Sequence, residues 1–169
     1  MLLSNSSFCF TLFQFHKGTI KTGCLSLKCC KSLTSVNVSK NMKTIGDSVF
    51  SDCKSLININ IPNGVTNIGR KAFSNCDSLT DINIPNSVTN IGSYAFWSCD
   101  SLTNINIPNS VTNIKEWTCA HCKSLTNVNI PNCVTTIGEA AFCRCTSLTS
   151  INIPNNVTTV EEGVFNGCI

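Results

Sequence analysis

Apolar and polar positions along this chain recur with a period of 23 residues. Counted from Cys53, the fourth position is Leu56, the seventh and ninth are Ile59 and Ile61, the thirteenth is Val65 and the sixteenth is Ile68. The same slots 23 residues later hold Leu79, Ile82, Ile84, Val88 and Ile91. An apolar-x-apolar alternation of β-branched residues predicts a short strand with one buried face at positions 6–9. Position 10 is proline from Pro62 to Pro154, and proline lacks the N–H a ladder needs, so each strand ends there. Positions 13–16 predict a second extended piece. A short A-F-x-x segment follows, with Phe50, Phe73, Phe96, Phe142 and Phe165, and its length suits a single helical turn whose Phe fills the core.

The period itself is marked by seven cysteines, from Cys30 and Cys53 to Cys145 and Cys168, with no slip over six intervals. Such regularity predicts a solenoid: a coil, right-handed by the rule for parallel crossovers, of short parallel β-strands with short 3-10 or α corners, in about seven turns. Residues 30–169 hold six repeats, and residues 1–29 read as a degenerate N-terminal turn or cap with Phe10, Phe13 and Phe15 at its strand positions. Glycine at position 17 (Gly46, Gly69, Gly92, Gly138) is expected to supply a backbone angle that other residues resist.

These residues resemble the BspA-like, 23-residue class of leucine-rich repeats, whose pattern is roughly C-x-x-L-x-x-I-x-L/I-P-x-x-V/L-x-x-I-x-x-x-A-F-x-x. The match runs from Cys30 to Cys168 and more loosely from Phe10 to Cys29. The resemblance implies a non-enzymatic protein-recognition module on the surface of bacteria or parasitic protists, or secreted by them. It further implies a part in adhesion, with host, matrix or other cellular proteins as partners. An intracellular interaction scaffold of the same fold is the alternative, and a metal- or redox-active cysteine protein is a third reading.

Composition narrows this further. Only 12% of residues are charged, so Asn, Ser and Thr must keep the surface wet, and the net charge of +3 comes from dispersed cations. Without a basic cluster no nucleic-acid partner is expected. No apolar run approaches the roughly 18–20 residues of a membrane span, so no insertion is expected. The N-terminal MLLSNSSFCFTLFQF lacks a basic start, is interrupted at Asn5 to Ser7 and precedes no small-residue cleavage site, so it does not read as a signal peptide. A cytoplasmic location therefore stands beside the surface one.

Two candidate surfaces emerge. Outward strand positions carry a polar face: Asn58 and Asn60, Asp81 and Asn83, Asn104 and Asn106, Asn127 and Asn129. Stacked amides at strand spacing are expected to bond one another up the column. Lacking aromatics and arginine, the face reads as solubilising scaffold more than hot spot. The second surface lies at one corner, where Arg70 and Lys71 precede Tyr94, Trp97 and Trp117 by a turn or more. An aromatic trio beside two cations is a protein-binding anchor in type, although corner aromatics also serve to cover a core edge.

The cysteines, 13 in all, need separate treatment. Ladder thiols are expected buried, reduced and small, since stacked identical residues point their Cβ vectors in parallel and suit a disulfide badly. Cys119 and Cys122 with Cys143 and Cys145 make a C-x-x-C plus C-x-C set that can in principle hold zinc. The repeat accounts for three of the four, so no metal or other cofactor is expected. Cys119 or Cys143 with His121 would be a nucleophile pair lacking an orienting group or an oxyanion hole, so no enzyme is expected. The sequence stops after Cys168-Ile169 without a polar capping turn, which suggests a fragment, or self-association through an open strand edge.

Overall fold

The computed structural model describes residues 27–168. The degenerate turn at Phe10, Phe13 and Phe15 lies outside the described residues. Ten strands of two or three residues follow in chain order. They are β1 (Ser35–Asn37), β2 (Thr44–Ile45), β3 (Asn58–Asn60), β4 (Asn67–Ile68), β5 (Asn90–Ile91), β6 (Asn104–Asn106), β7 (Asn113–Ile114), β8 (Asn127–Asn129), β9 (Thr136–Ile137) and β10 (Thr159–Val160). Every pairing is parallel and in register at the 23-residue period: Val36 lies opposite Ile59, Ile45 opposite Ile68, Ile105 opposite Val128. The molecule is a parallel β-solenoid. Two columns of strands face each other, and Leu56, Leu79, Leu102 and Leu125 are buried between them. Among the described residues about five turns pair on both sides and the sixth repeat pairs only through β10, while the first of the seven expected turns lies outside them.

The corners hold no helix among the described residues. The N–H groups at positions 19, 21 and 23 donate forward to carbonyls of the next turn. For example, Lys71 bonds Ser93, Phe73 bonds Ala95 and Asn75 bonds Trp97, at 2.8 to 3.0 Å. Donors committed between turns cannot close i→i−4 bonds, which is why the helical expectation fails. The backbone reaches this arrangement by taking positive φ at positions 19 and 23, including Tyr94 (59°), Trp117 (56°), His121 (63°) and Arg144 (57°).

Glycine at position 17 has a different role from the one expected. Gly46, Gly69, Gly92 and Gly138 do not have positive φ; among the described residues the glycines that do are Gly163 and Gly167. A Cβ on Gly92 would lie 2.6 Å from the carbonyl carbon of Gly69 and from the amide of Arg70. The requirement is close approach between turns, not dihedral freedom.

Both strand columns are interrupted between repeats 3 and 4. β5 does not pair with β7, and Asn83, bridged to Asn60, does not pair with β6. Ile82 therefore keeps its register but stands outside the Ile105–Val128 ladder. Lys115 occupies the glycine slot at this step, a slot where a Cβ on Gly92 or Gly138 would lie only 2.6 to 2.7 Å from the turn before. Glu161 makes the same replacement in repeat 6 yet keeps its bond to Ile137 (2.9 Å), so a missing glycine is not sufficient alone. At the open step Asp77 and Asp100 also stand one turn apart with like charge, each drawn instead to a lysine on its far side, Lys54 and Lys123. The corner bonds persist across the gap, from Tyr94 to Glu116 (3.2 Å) and from Phe96 to Thr118 (2.9 Å).

Candidate functional site

The corner after the second strand carries the chain's chemical variety on a regular backbone. Position 18 reads Asp47, Arg70, Ser93, Glu116, Glu139, Glu162, and position 19 reads Ser48, Lys71, Tyr94, Trp117, Ala140, Gly163. All six residues at position 19 share a left-handed φ between 51° and 67°, so the side chains there stand directly above one another. The rings of Tyr94 and Trp117 consequently stack, 5.9 Å apart and 2° from parallel. Arg70 and Lys71 each place their cationic end 5.4 Å from the Tyr94 ring centre, within cation–π range.

Trp97 meets His121 at 5.5 Å in a tilted contact. Burial lowers the pKa of His121, and Arg144 and Lys123 push the same way against Asp100, so the ring packs as neutral imidazole at pH 7. Trp97 and Trp117 lie against a small satellite cluster of Ala120, Ala140 and Cys143, separate from the main core. Tyr94, Trp97 and Trp117 are all half-buried. They cover the core edge with part of their surface and offer the remainder to solvent.

Towards repeats 1 and 2 the corner forms a shallow depression of about 220 Å³ between Lys71, Tyr94 and Trp97 on one side and Asp52 and Asn75 on the other. Asn75 donates to Asp52 at 2.7 Å and Ser51 donates to it at 3.1 Å. Partial burial raises the Asp52 pKa, but those two bonds and the charges of Lys28 and Lys54 outweigh it and hold the carboxyl below its ordinary value. The Asp is thus a fixed anion at neutral pH.

On the strand face Asn58, Asn60, Asp81, Asn83, Asn104, Asn106, Asn127 and Asn129 are all exposed. No amide ladder joins them among the described residues. The amide-to-amide bond lies instead at position 15, from Asn90 to Asn67. The inter-turn side-chain bonding is done by threonine: Thr89 donates to the Thr66 carbonyl, Thr126 to Thr103 and Thr158 to Thr135, at 3.2 to 3.3 Å. The recurrence of Thr at positions 5 and 14 was the available signal for this column.

Cys119, Cys122 and Cys145 sit in the main core, whereas Cys143 belongs to the satellite cluster. Among the described residues no group of three or more His, Cys, Asp or Glu is placed to hold a metal. Burial raises the Cys119 thiol well above its ordinary pKa, the reverse of what a nucleophile needs. The ladder thiols from Cys53 to Cys168 are free, and Cys30 at the first rung is the exception, being disulfide-bonded.

A family model described as the BspA type leucine rich repeat region matches in six copies over residues 18–124 and 66–169. The chain belongs to the BspA-type leucine-rich repeat family. Solved leucine-rich repeat structures are similar to it over most of the chain. A leucine rich cell surface protein from Faecalibacterium prausnitzii is 40% identical, with a TM-score of 0.75 over 80% of this chain. The T. pallidum leucine rich repeat protein is 31% identical, with a TM-score of 0.68 over 72%. A leucine-rich repeat protein from Eubacterium ventriosum is 28% identical, with a TM-score of 0.63 over 83%. The chain spans 37%, 56% and 44% of those three proteins. No curated protein matches it. Membership of this family makes the chain a repeat module of the protein-interaction type.

Proposed function

We propose that this BspA-type chain is a non-enzymatic recognition module acting at a cell surface, with the corner of Arg70, Lys71, Tyr94, Trp97 and Trp117 as its contact face. The observation that carries the reading is the Tyr94–Trp117 stack, held half-exposed on a backbone that bonds turn to turn. Tyr, Trp and Arg are the residues on which binding energy concentrates, and rigid rings lose little entropy when they dock. The exposed Asn face has none of these groups and serves as solvated scaffold. The surface placement draws support from the Faecalibacterium relative, which is named as a cell surface protein. The test is a binding screen against extracellular matrix proteins and cell lysates, with Trp97→Ala/Trp117→Ala beside the parent. Partners captured by the parent should be lost by the double variant. Retention of all of them by a folded double variant would remove the corner from the mechanism.

A further inference from the structure

At positions 18 and 19 of the central four repeats the charge changes sign, and the midpoint is the aromatic stack. On the repeat-2 side stand Arg70 and Lys71; on the repeat-4 to repeat-6 side stand Glu116, Glu139 and Glu162, all exposed. The described ion pairs, Lys54–Asp77 and Lys123–Asp100, are made elsewhere, so neither Arg70 nor these glutamates is matched by an ion pair within the described chain. Arg70 is in repeat 2 and Glu139 in repeat 5, three turns apart at the same position. Halfway between them Tyr94 of repeat 3 stacks on Trp117 of repeat 4.

A surface whose charge inverts across its own centre is self-complementary under a two-fold axis. We propose that the corner receives a second copy of this chain, antiparallel to the first, with the axis passing between Tyr94 and Trp117. This rests on the reading of the corner as contact face and names its partner. At about 4.8 Å per turn, Arg70 and Glu139 lie about 7 Å on either side of the axis. Inverting one copy sets Arg70 of each chain opposite Glu139 of the other and sets Tyr94 opposite Trp117. Lys71 falls against Ala140, in reach of the same acidic side. The outermost pair, Asp47 with Glu162, is like-charged, which confines the contact to the central four repeats. Four turns of one corner offer on the order of a few hundred Å² per copy, below the roughly 800 Å² of a stable interface. The dimer is therefore weak and sensitive to salt.

The two-fold geometry makes an unusual mixing prediction. Arg70→Glu alone sets two like-charged pairs across the axis, and so does Glu139→Arg alone. One chain of each kind sets two opposite pairs. Sedimentation over a wide concentration range at low ionic strength should show the parent dimerising reversibly, each single variant weakened at least tenfold, and their equimolar mixture restored as a heterodimer. The double variant should self-associate like the parent. Both positions are exposed, and thermal unfolding verifies that each variant is folded. A strictly monomeric parent would overturn the proposal, as would a dimer indifferent to these variants or a mixture that is not restored. Loss of foreign partners from Trp97→Ala/Trp117→Ala would still uphold the contact face after such a failure, so the two readings fail separately.

Discussion

The thiol of Cys99 donates to the backbone carbonyl of Phe73, 26 residues earlier, at 3.2 Å. The same oxygen accepts the amide of Cys76 at 3.2 Å, so the buried carbonyl uses both lone pairs. The relation recurs on the other rungs from Cys53 onward: Cys53 with Leu27, Cys76 with Phe50, Cys122 with Phe96, Cys145 with Cys119 and Cys168 with Phe142. Cysteine suits the slot because it is small, apolar enough for the core, and still a donor. Cys99→Ala removes both the sulfur and the donor, and should cost about 1–2 kcal/mol, read as a lower urea midpoint at unchanged slope.

Those thiols also set the response to alkali. Burial, opposed by a backbone hydrogen bond, raises Cys53 to about 11 and Cys122 to about 12, from an ordinary 9.0. Cys76, Cys99 and Cys145 move the same way. A thiol raised in the folded state holds its proton there after the unfolded chain has released it. Its contribution is complete below pH 9 and declines as pH climbs toward the folded value. Each such thiol takes away about 1.4 kcal/mol per pH unit in that window, so several acting together should unfold the coil steeply between pH 9 and 11. Circular dichroism against pH measures this, and a flat profile to pH 11 would contradict it.

Thiol labelling gives a finer reading of the same burial. Cys29 is free and exposed, while Cys76, Cys99, Cys122 and Cys145 are free and buried. Brief alkylation of the native protein at pH 8 should mark Cys29 and spare those four, with unfolding in urea opening them all together. Peptide mass spectrometry reads the outcome.

Two glycines of identical sequence position should differ in what they tolerate. Gly92→Ala drives a methyl to 2.6 Å from the Gly69 backbone and should cost about 3 kcal/mol or more. Gly46→Ala meets only a Val49 methyl at 3.2 Å and should cost less than about 1 kcal/mol. Chemical denaturation of the two variants side by side decides it.

The open step between repeats 3 and 4 predicts its own exchange pattern. The amide of Thr135 bonds Thr112 and that of Thr89 bonds Thr66, each at 2.9 Å, but the corresponding Thr112-to-Thr89 bond is missing among the described residues. Native-state hydrogen exchange should find Thr112 and Lys115 among the fastest amides of the second column. Lys115→Gly should slow both. Protection of Thr112 equal to that of Thr135 would show the step to be closed.

Relief of backbone strain is testable at Arg144, whose φ is 57°. Gly167 fills the same slot one repeat later with φ of 76°. Arg144→Gly removes a left-handed penalty of about 1 kcal/mol, offset in part by the greater freedom of glycine when unfolded. The thermal midpoint should hold or rise, where most substitutions lower it.

The sequence by itself determined which residues meet. A strict 23-residue period obliges residue i to stack on residue i+23, and from that follow the parallel register, the buried Leu, Ile and Phe columns, the outward Asn face and the gathering of Tyr94, Trp97 and Trp117 at one corner with Arg70 and Lys71. Only the tertiary structure decided how the backbone closes between them. Corner amides are spent on the neighbouring turn, so no helix forms; glycine answers to the distance between turns and not to its own dihedral; and sulfur finds a carbonyl 26 residues back. Those choices depend on non-local hydrogen bonds and contacts of a few ångströms. Periodicity fixes the order of the layers, but it carries no record of the gap between them.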